Sequence, residues 1–415
     1  MMTSKPPRIV APALGLVLAW ASAVLGAPET LSLEDCLERA LAHNPRLLAS
    51  HELRHAAEAR VTQALAIPQP TLDYDSDMQP EVLDLDDSGE TYLGLSQTVE
   101  FPGRRSLRIK IAREESAAVV EEVESRRQEL ILEVKTAFYA LLLAEQQREH
   151  ARRNLELASE FEELAAVRYE TGDVARVETM RAEVELARAR SELRQALNEA
   201  ALAAARLGFL LGGGVAEPLT VDGDLRRPPL EADEDELVAK ALAARPEVRA
   251  LRHALAREEL AEKQARRSVL PDVDLGVAEH RIDGEGSFWD VTVSVPVPIF
   301  RQQYRGELAE ARANQGAVKF ELEHLEQTVA LEVLEAHRAA VTARDQLDLF
   351  NEELLAEARE VYDMYLFSYR EGEIGGIELI EARRSLIEAR TSYAVALYDY
   401  AVAVAALERA VGQAL

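Results

Sequence analysis

The sequence predicts a mainly α-helical protein built twice, carrying two β-hairpins of the length used in a transmembrane β-barrel. Three observations predict it. Gly103–Arg168 and Arg301–Ser368 are stretches of 66 and 68 residues without proline and almost without glycine, each roughly 100 Å long as a helix. The chain matches itself at an offset of 200 or 201: Tyr169-Glu-Thr-Gly172 with Tyr369-Arg-Glu-Gly372, and Ala40-Leu-Ala-His-Asn-Pro45 with Ala241-Leu-Ala-Ala-Arg-Pro246. Such self-similarity says that one supersecondary unit is used twice. Lastly, proline-bounded segments with polar and apolar residues in alternation precede each long helical stretch, the pattern of strands with one face wet.

Taken in order, residues 1–27 read as a secretory leader: Lys5 and Arg8, an apolar run from Ile9 through Leu25, and small residues Ala21-Ser-Ala23 and Gly26-Ala27. Pro12 and Gly15 interrupt the run, which suits a cleaved leader better than a retained span. Without Lys5 and Arg8 the formal charge moves from −27 to −29. Such an excess of acid excludes nucleic acid as a partner, because phosphates select Lys and Arg, and suits a solvated surface or a cation-attracting cavity. Cys36 is the only cysteine, so no intrachain disulfide supports the fold, and it reads as a small apolar residue of the first helix.

The first copy occupies 28–211 and the second 233–415, with a Gly- and Pro-rich linker at 212–232. Ser32 and Asp35 form a capping box ahead of a short helix, which Asn44-Pro45 ends. Helices over 46–66 and 247–268 lead to Pro68-Gln-Pro70 and Pro271. Strands are expected at 71–78 and 91–101, then at 272–280 and 287–300. In the last, Val291, Val293, Val295, Val297 and Ile299 share one face, while Phe101, Phe288, Trp289 and Phe300 mark the ends of the strands, where interfacial aromatic girdles sit. Four strands cannot close a barrel, so any membrane span needs hairpins from several chains. The long stretches follow as coiled-coil struts or tube walls. Each ends in a polar turn, 169–174 and 369–376, before a shorter helix returns over 174–211 and 374–411.

No residue set converges on catalysis. There is no phosphate-binding glycine loop, nucleophile elbow or cysteine cluster. His51 and His55 lie four apart on one helix face and lack a third partner of clear spacing, so no cofactor or metal site is expected.

The doubled order of short helix, Asn-Pro or Arg-Pro break, helix, Pro-marked hairpin, very long helix, Tyr-x-x-Gly turn and returning helix resembles the outer-membrane efflux proteins, the TolC-like channels. Leu31-Ser-Leu-Glu-Asp-Cys-Leu-Glu-Arg-Ala-Leu41, Ser294-Val-Pro-Val-Pro-Ile-Phe300 and Tyr369-x-x-Gly372 carry the resemblance. Val99-Glu-Phe-Pro-Gly-Arg-Arg105 is similar to the heavy-metal efflux subgroup. The resemblance implies a homotrimer whose four strands per chain make a twelve-stranded barrel in the outer membrane, with the helices forming a periplasmic tunnel. It implies a passive export conduit, without enzymatic activity, that works with a periplasmic adaptor and an inner-membrane efflux pump on heavy-metal cations or drugs. The alternative is a periplasmic coiled-coil adaptor or scaffold without a barrel, which a single hairpin and a lipoyl-like β domain would mark.

Carried over by position, Glu378 and Glu381 fall where family members ring the periplasmic entrance with acids, and Glu178 is the counterpart of Glu378. Arg181 stands where the first copy would repeat Glu381, so the entrance is expected to be threefold rather than sixfold. Ile374 takes the place of a basic latch residue. Tyr169, Gly172, Asp173, Tyr369, Gly372 and Glu373 are the expected turn and adaptor-contact residues.

Overall fold

The repeat seen in the sequence returns as a repeat of elements. The computed structural model describes residues 30–77, 89–213, 219–225, 233–282 and 284–414. The expected leader and most of the acidic loop after the first strand lie outside them. In the first copy α1 (Leu33–His43) starts at the expected capping box, Asp35 N donating to Ser32 Oγ at 3.2 Å and Ser32 N to Asp35 Oδ2 at 2.9 Å. Asn44 then caps α2 (Pro45–Leu65), its Oδ1 accepting from Arg46 N and Leu47 N with proline at the first helical position, where its missing N–H costs nothing. The second copy repeats this as α5 (Glu234–Ala244) and α6 (Pro246–Arg267), with Arg245 at the Asn44 position. A guanidinium cannot accept the cap bonds, and Arg245 is instead buried in ion pairs with Glu332 and Glu247.

The hairpins join into one antiparallel sheet in the order β2 (Thr71–Asp77), β3 (Glu90–Val99), β5 (Val273–Ile282), β6 (Gly286–Ser294). Val295–Phe300, expected to continue β6, is not strand. Pro296 and Pro298 lack the N–H groups a ladder needs, and Ile299 N bonds back to Val297 O at 2.8 Å. The second strand likewise stops at Val99, and Phe101 N turns to Asp272 Oδ1 at 2.7 Å.

From the sheet, α3 (Arg104–Glu170) runs unbroken for 67 residues. Its counterpart does not. The expected continuous helix from Arg301 divides into α7 (Gln302–Leu349) and α8 (Glu352–Arg370). Asn351 is extended, with φ −104° and ψ 174°, and its Oδ1 accepts from Leu354 N at 2.9 Å, so a side chain suited to helix starts re-nucleates the helix there. The corresponding first-copy residue, Ala151, has no such acceptor. The returning helices are α4 (Arg176–Leu210) and α9 (Gly376–Val411). Among the described residues no helix is long and apolar enough to cross a membrane.

Apolar packing is divided along this length rather than gathered in one core. One cluster joins α1 to the middle of α3 and the end of α4, with Cys36 inside it. Burial, and then the charge of Asp35, push the Cys36 thiol up to about 11. A second cluster joins α5, α7 and the end of α9, and a third lies at the tips of the two long hairpins. Between α4 and α5 in the chain, the linker adds β4 (Thr220–Val221), parallel to β1 (Thr30–Leu31).

Candidate functional site

At both tips the helix stops in the same way. Gly172 and Gly372 take φ of 85° and 82°, which glycine adopts without strain. Asp173 N then bonds to Arg168 O at 2.8 Å and Glu373 N to Ser368 O at 2.9 Å, satisfying carbonyls that a helix end leaves free. In the first tip Thr171 Oγ1 also donates to Asp173 Oδ2 at 2.7 Å. Ala175 and Gly375 are extended and start the returning helices.

From these equal turns the two copies part. Tyr369 is fully buried, whereas Tyr169 is exposed. The Tyr369 ring lies 5.5 Å from that of Phe161, and the Arg168 guanidinium carbon stands 4.8 Å over it, a cation–π arrangement. Arg168 Nη1 also donates to Tyr369 O at 2.9 Å. Burial first, and then the Glu178 charge, push the Tyr369 hydroxyl up to about 12. Tyr369 thus belongs to the interior of the tip and offers no contact surface. Glu178 is half-buried, and a Cβ on Gly376 would meet its Oε1 at 2.8 Å and the Phe161 ring at 3.0 Å. Glycine at 376 is what lets the first tip close on the second.

Glu378 and Glu381 are exposed at the start of α9. Glu381 shares a groove of about 470 Å³ with Arg181, Val177, Met180 and Ile377, lined by the starts of α4 and α9. The structure therefore separates the three acids read from the sequence: Glu178 turns inward, and the other two stay in solvent.

Several residues at the tips escaped the sequence reading. Glu185 and Arg383 are a buried pair joining α4 to α9, and Arg384 reaches the same carboxylate at 2.8 Å. Arg370 pairs with Glu160. Local spacing could not reveal partners 198 and 210 residues apart, but the copies differ at three of the four paired positions: Ser385 matches Glu185, Glu183 matches Arg383, Glu170 matches Arg370, and only Glu160 is repeated, as Glu360.

At the opposite end of the molecule, the register divides the sheet into two unlike faces. Asp73, Asp75 and Asp77 fall in line with Glu90, Tyr92, Asp274, His280 and Asp290. Tyr92 stacks 4.6 Å from His280 and donates to Asp290. His280 stands between Glu90 (3.5 Å) and Asp290 (3.6 Å). The other face carries Leu72, Tyr74, Leu93, Leu95, Leu275 and Val291, all exposed. Trp289 lies on this apolar face, and Phe288, paired with His280, on the polar one. Phe101 and Phe300 lie beyond the strand ends, Phe101 half-buried and Phe300 exposed. Among the described residues no group of three or more His, Cys, Asp or Glu is placed to hold a metal ion.

Comparison with known proteins agrees with this geometry. The family model for outer membrane efflux protein matches residues 36–213 and again 237–413, one match per copy. The cobalt-zinc-cadmium resistance protein CzcC of Cupriavidus metallidurans is 24% identical over 362 residues, 86% of this chain and 84% of that protein. The toluene efflux pump outer membrane protein TtgF of Pseudomonas putida is 24% identical over 344 residues, 79% of this chain and 71% of that one. Among solved structures, the Campylobacter jejuni CmeC outer membrane channel superposes with a TM-score of 0.78 at 16% identity, covering 98% of this chain and 94% of CmeC. The chain belongs to the outer membrane efflux protein family, whose members are channels of the outer membrane and not enzymes.

Proposed function

We propose that this chain is the outer-membrane conduit of a tripartite efflux assembly, three copies closing a twelve-stranded barrel above a helical tunnel that receives cations from a periplasmic adaptor and an inner-membrane pump. The observation that carries the reading is the two-faced sheet. Except for Glu279, every strand carboxylate lies on one face, the opposite face is an exposed apolar surface, and β2 and β6 are left as free edges. In water an exposed apolar face and two open edges are liabilities. Rolled with the polar face inward, and with β6 of each copy paired to β2 of the next, the sheet satisfies its backbone in lipid. A scaffold without a barrel has no use for that face. Trp289 then belongs to the outer aromatic girdle and Phe300 to the inner one.

At the far end, the turns at Gly172-Asp173 and Gly372-Glu373 meet the adaptor, while Glu378 and Glu381 face the mouth. Three copies bring these acids together, and like charges in a narrow opening attract cations. The metal-resistance relative supports cations as cargo. In planar bilayers, reversing both charges (Glu378→Lys with Glu381→Lys) is expected to weaken block by multivalent cations added from the tip side at least severalfold. Block equal to that of the parent channel would remove the two acids from the mouth.

A further inference from the structure

The base of the sheet carries a charge opposite to that of the rest of the chain. Residues 101–113, at the start of α3, hold five Lys or Arg and no Asp or Glu. Residues 263–271, at the end of α6, hold three, and residues 300–306, at the start of α7, hold two, again without an acid. Over the whole chain the balance is reversed, 74 Asp and Glu against 47 Lys and Arg. Nor does helix stability call for these cations, because positive charge at the start of a helix opposes the macrodipole, and neither α3 nor α7 has an acid in its first turn.

Four of the ten serve the fold. Arg104 pairs with Asp272 at 2.6 Å and Arg266 with Glu262 at 2.8 Å, while Arg105 and Arg108 donate to carbonyls at the end of α2. The other six, Lys110, Arg113, Lys263, Arg267, Arg301 and Arg305, are exposed and pair with no carboxylate among the described residues. Arg267 lies over Gly103, so the charges of α6 adjoin those of α3. On α3, Glu114 reaches His253 of α6 and Glu115 reaches Arg60 of α2. At about 100° per residue, Lys110 and Arg113 fall within the wider arc between those two directions, and in the wall of a tube the wider arc faces outward. Exposed apolar residues separate these charges from the strands: Leu270 stands between Arg267 and β5, and Val297, Ile299 and Phe300 between β6 and Arg301. From sheet to helices the order is apolar, aromatic, basic, which matches hydrocarbon, interface and anionic headgroup in a bilayer.

Resting on the conduit reading above, we propose that these six side chains form a collar that binds the headgroups of anionic phospholipids in the periplasmic leaflet. The collar fixes the depth of the barrel in the bilayer and gathers such lipids around it, with an acidic helical body below that the same headgroups repel.

The test reconstitutes the parent protein in vesicles of equal parts phosphatidylglycerol and phosphatidylcholine, extracts it in mild detergent, and measures the retained lipid by mass spectrometry. Phosphatidylglycerol is expected to be retained severalfold over phosphatidylcholine. The variant Lys110→Gln, Arg113→Gln, Arg301→Gln, Arg305→Gln is expected to retain the two about equally, whereas Arg152→Gln with Arg338→Gln, exposed positions farther along the helices, keeps the parent's preference. Extraction of the parent in about 1 M salt, where charges are screened beyond about 3 Å, is expected to abolish the preference without any substitution. Equal retention by the parent, or a preference that neither the fourfold variant nor salt reduces, overturns the collar. A native mass of three chains accompanying that result leaves the conduit reading standing; a single chain that does not enter the vesicles overturns both.

Discussion

Arg383 is 4% exposed and surrounded by the tip core, with the Glu185 carboxylate as its ion-pair partner. Burial works against its charge, and Glu185 offsets this. Removing one member of such a pair strands a charge in a poorly solvated place, at a cost of about 3–5 kcal/mol, whereas replacing both with apolar residues of similar volume is close to neutral. Glu185→Gln is therefore expected to speed amide exchange over Leu379–Leu386, and the double variant Glu185→Leu with Arg383→Met to bring most of the protection back. Equal exchange in the single variant and the parent would mean that the pair does not hold the tips together. At this scale the sequence showed the turn but not the lock. Gly172, Gly372 and the paired tyrosines are local signals, and both turns form where expected. That Tyr369 is interior and Tyr169 exposed depends on which hairpin flanks which, and no spacing within one copy encodes it. The trace left in the sequence is where the copies disagree: Arg168 against Ser368 and Gly376 against Arg176 mark the one-sidedness of the contact.

Elements were more legible, because their signals are short-range. The Ser32–Asp35 box, Asn44-Pro45 and the alternating strands all give the elements they predict. Two expectations failed, and each failure has a local cause that counting prolines or apolar residues overlooks. The valine alternation after Ser294 continues beyond the last residue able to donate to a ladder. The helix after Arg301 contains no proline or glycine pair to stop it near 350, yet an asparagine with helix-start geometry divides it. Asn351→Ala removes the acceptor of Leu354 N, and losing such a cap costs about 1 kcal/mol. Faster amide exchange at Leu354 and Leu355 is expected, with no change along α9 opposite them; unchanged exchange at both would show that the break does not depend on the cap.

For the whole molecule, the doubling decides the architecture, and it was visible from the first comparison of residues 40–45 with 241–246. What one chain cannot show in its sequence is how its two ends are finished. Among the described residues the sheet has free edges at β2 and β6. Two open edges of this kind are what a ring of copies removes. The central claim, that three copies close one barrel in the outer membrane, is tested most directly by extracting the exported protein from outer membranes in mild detergent and measuring its native mass, alongside gel mobility with and without boiling. The account predicts a mass of three chains and a mobility that changes on boiling. A soluble single-chain species in the periplasmic fraction, with the same mobility either way, would contradict it.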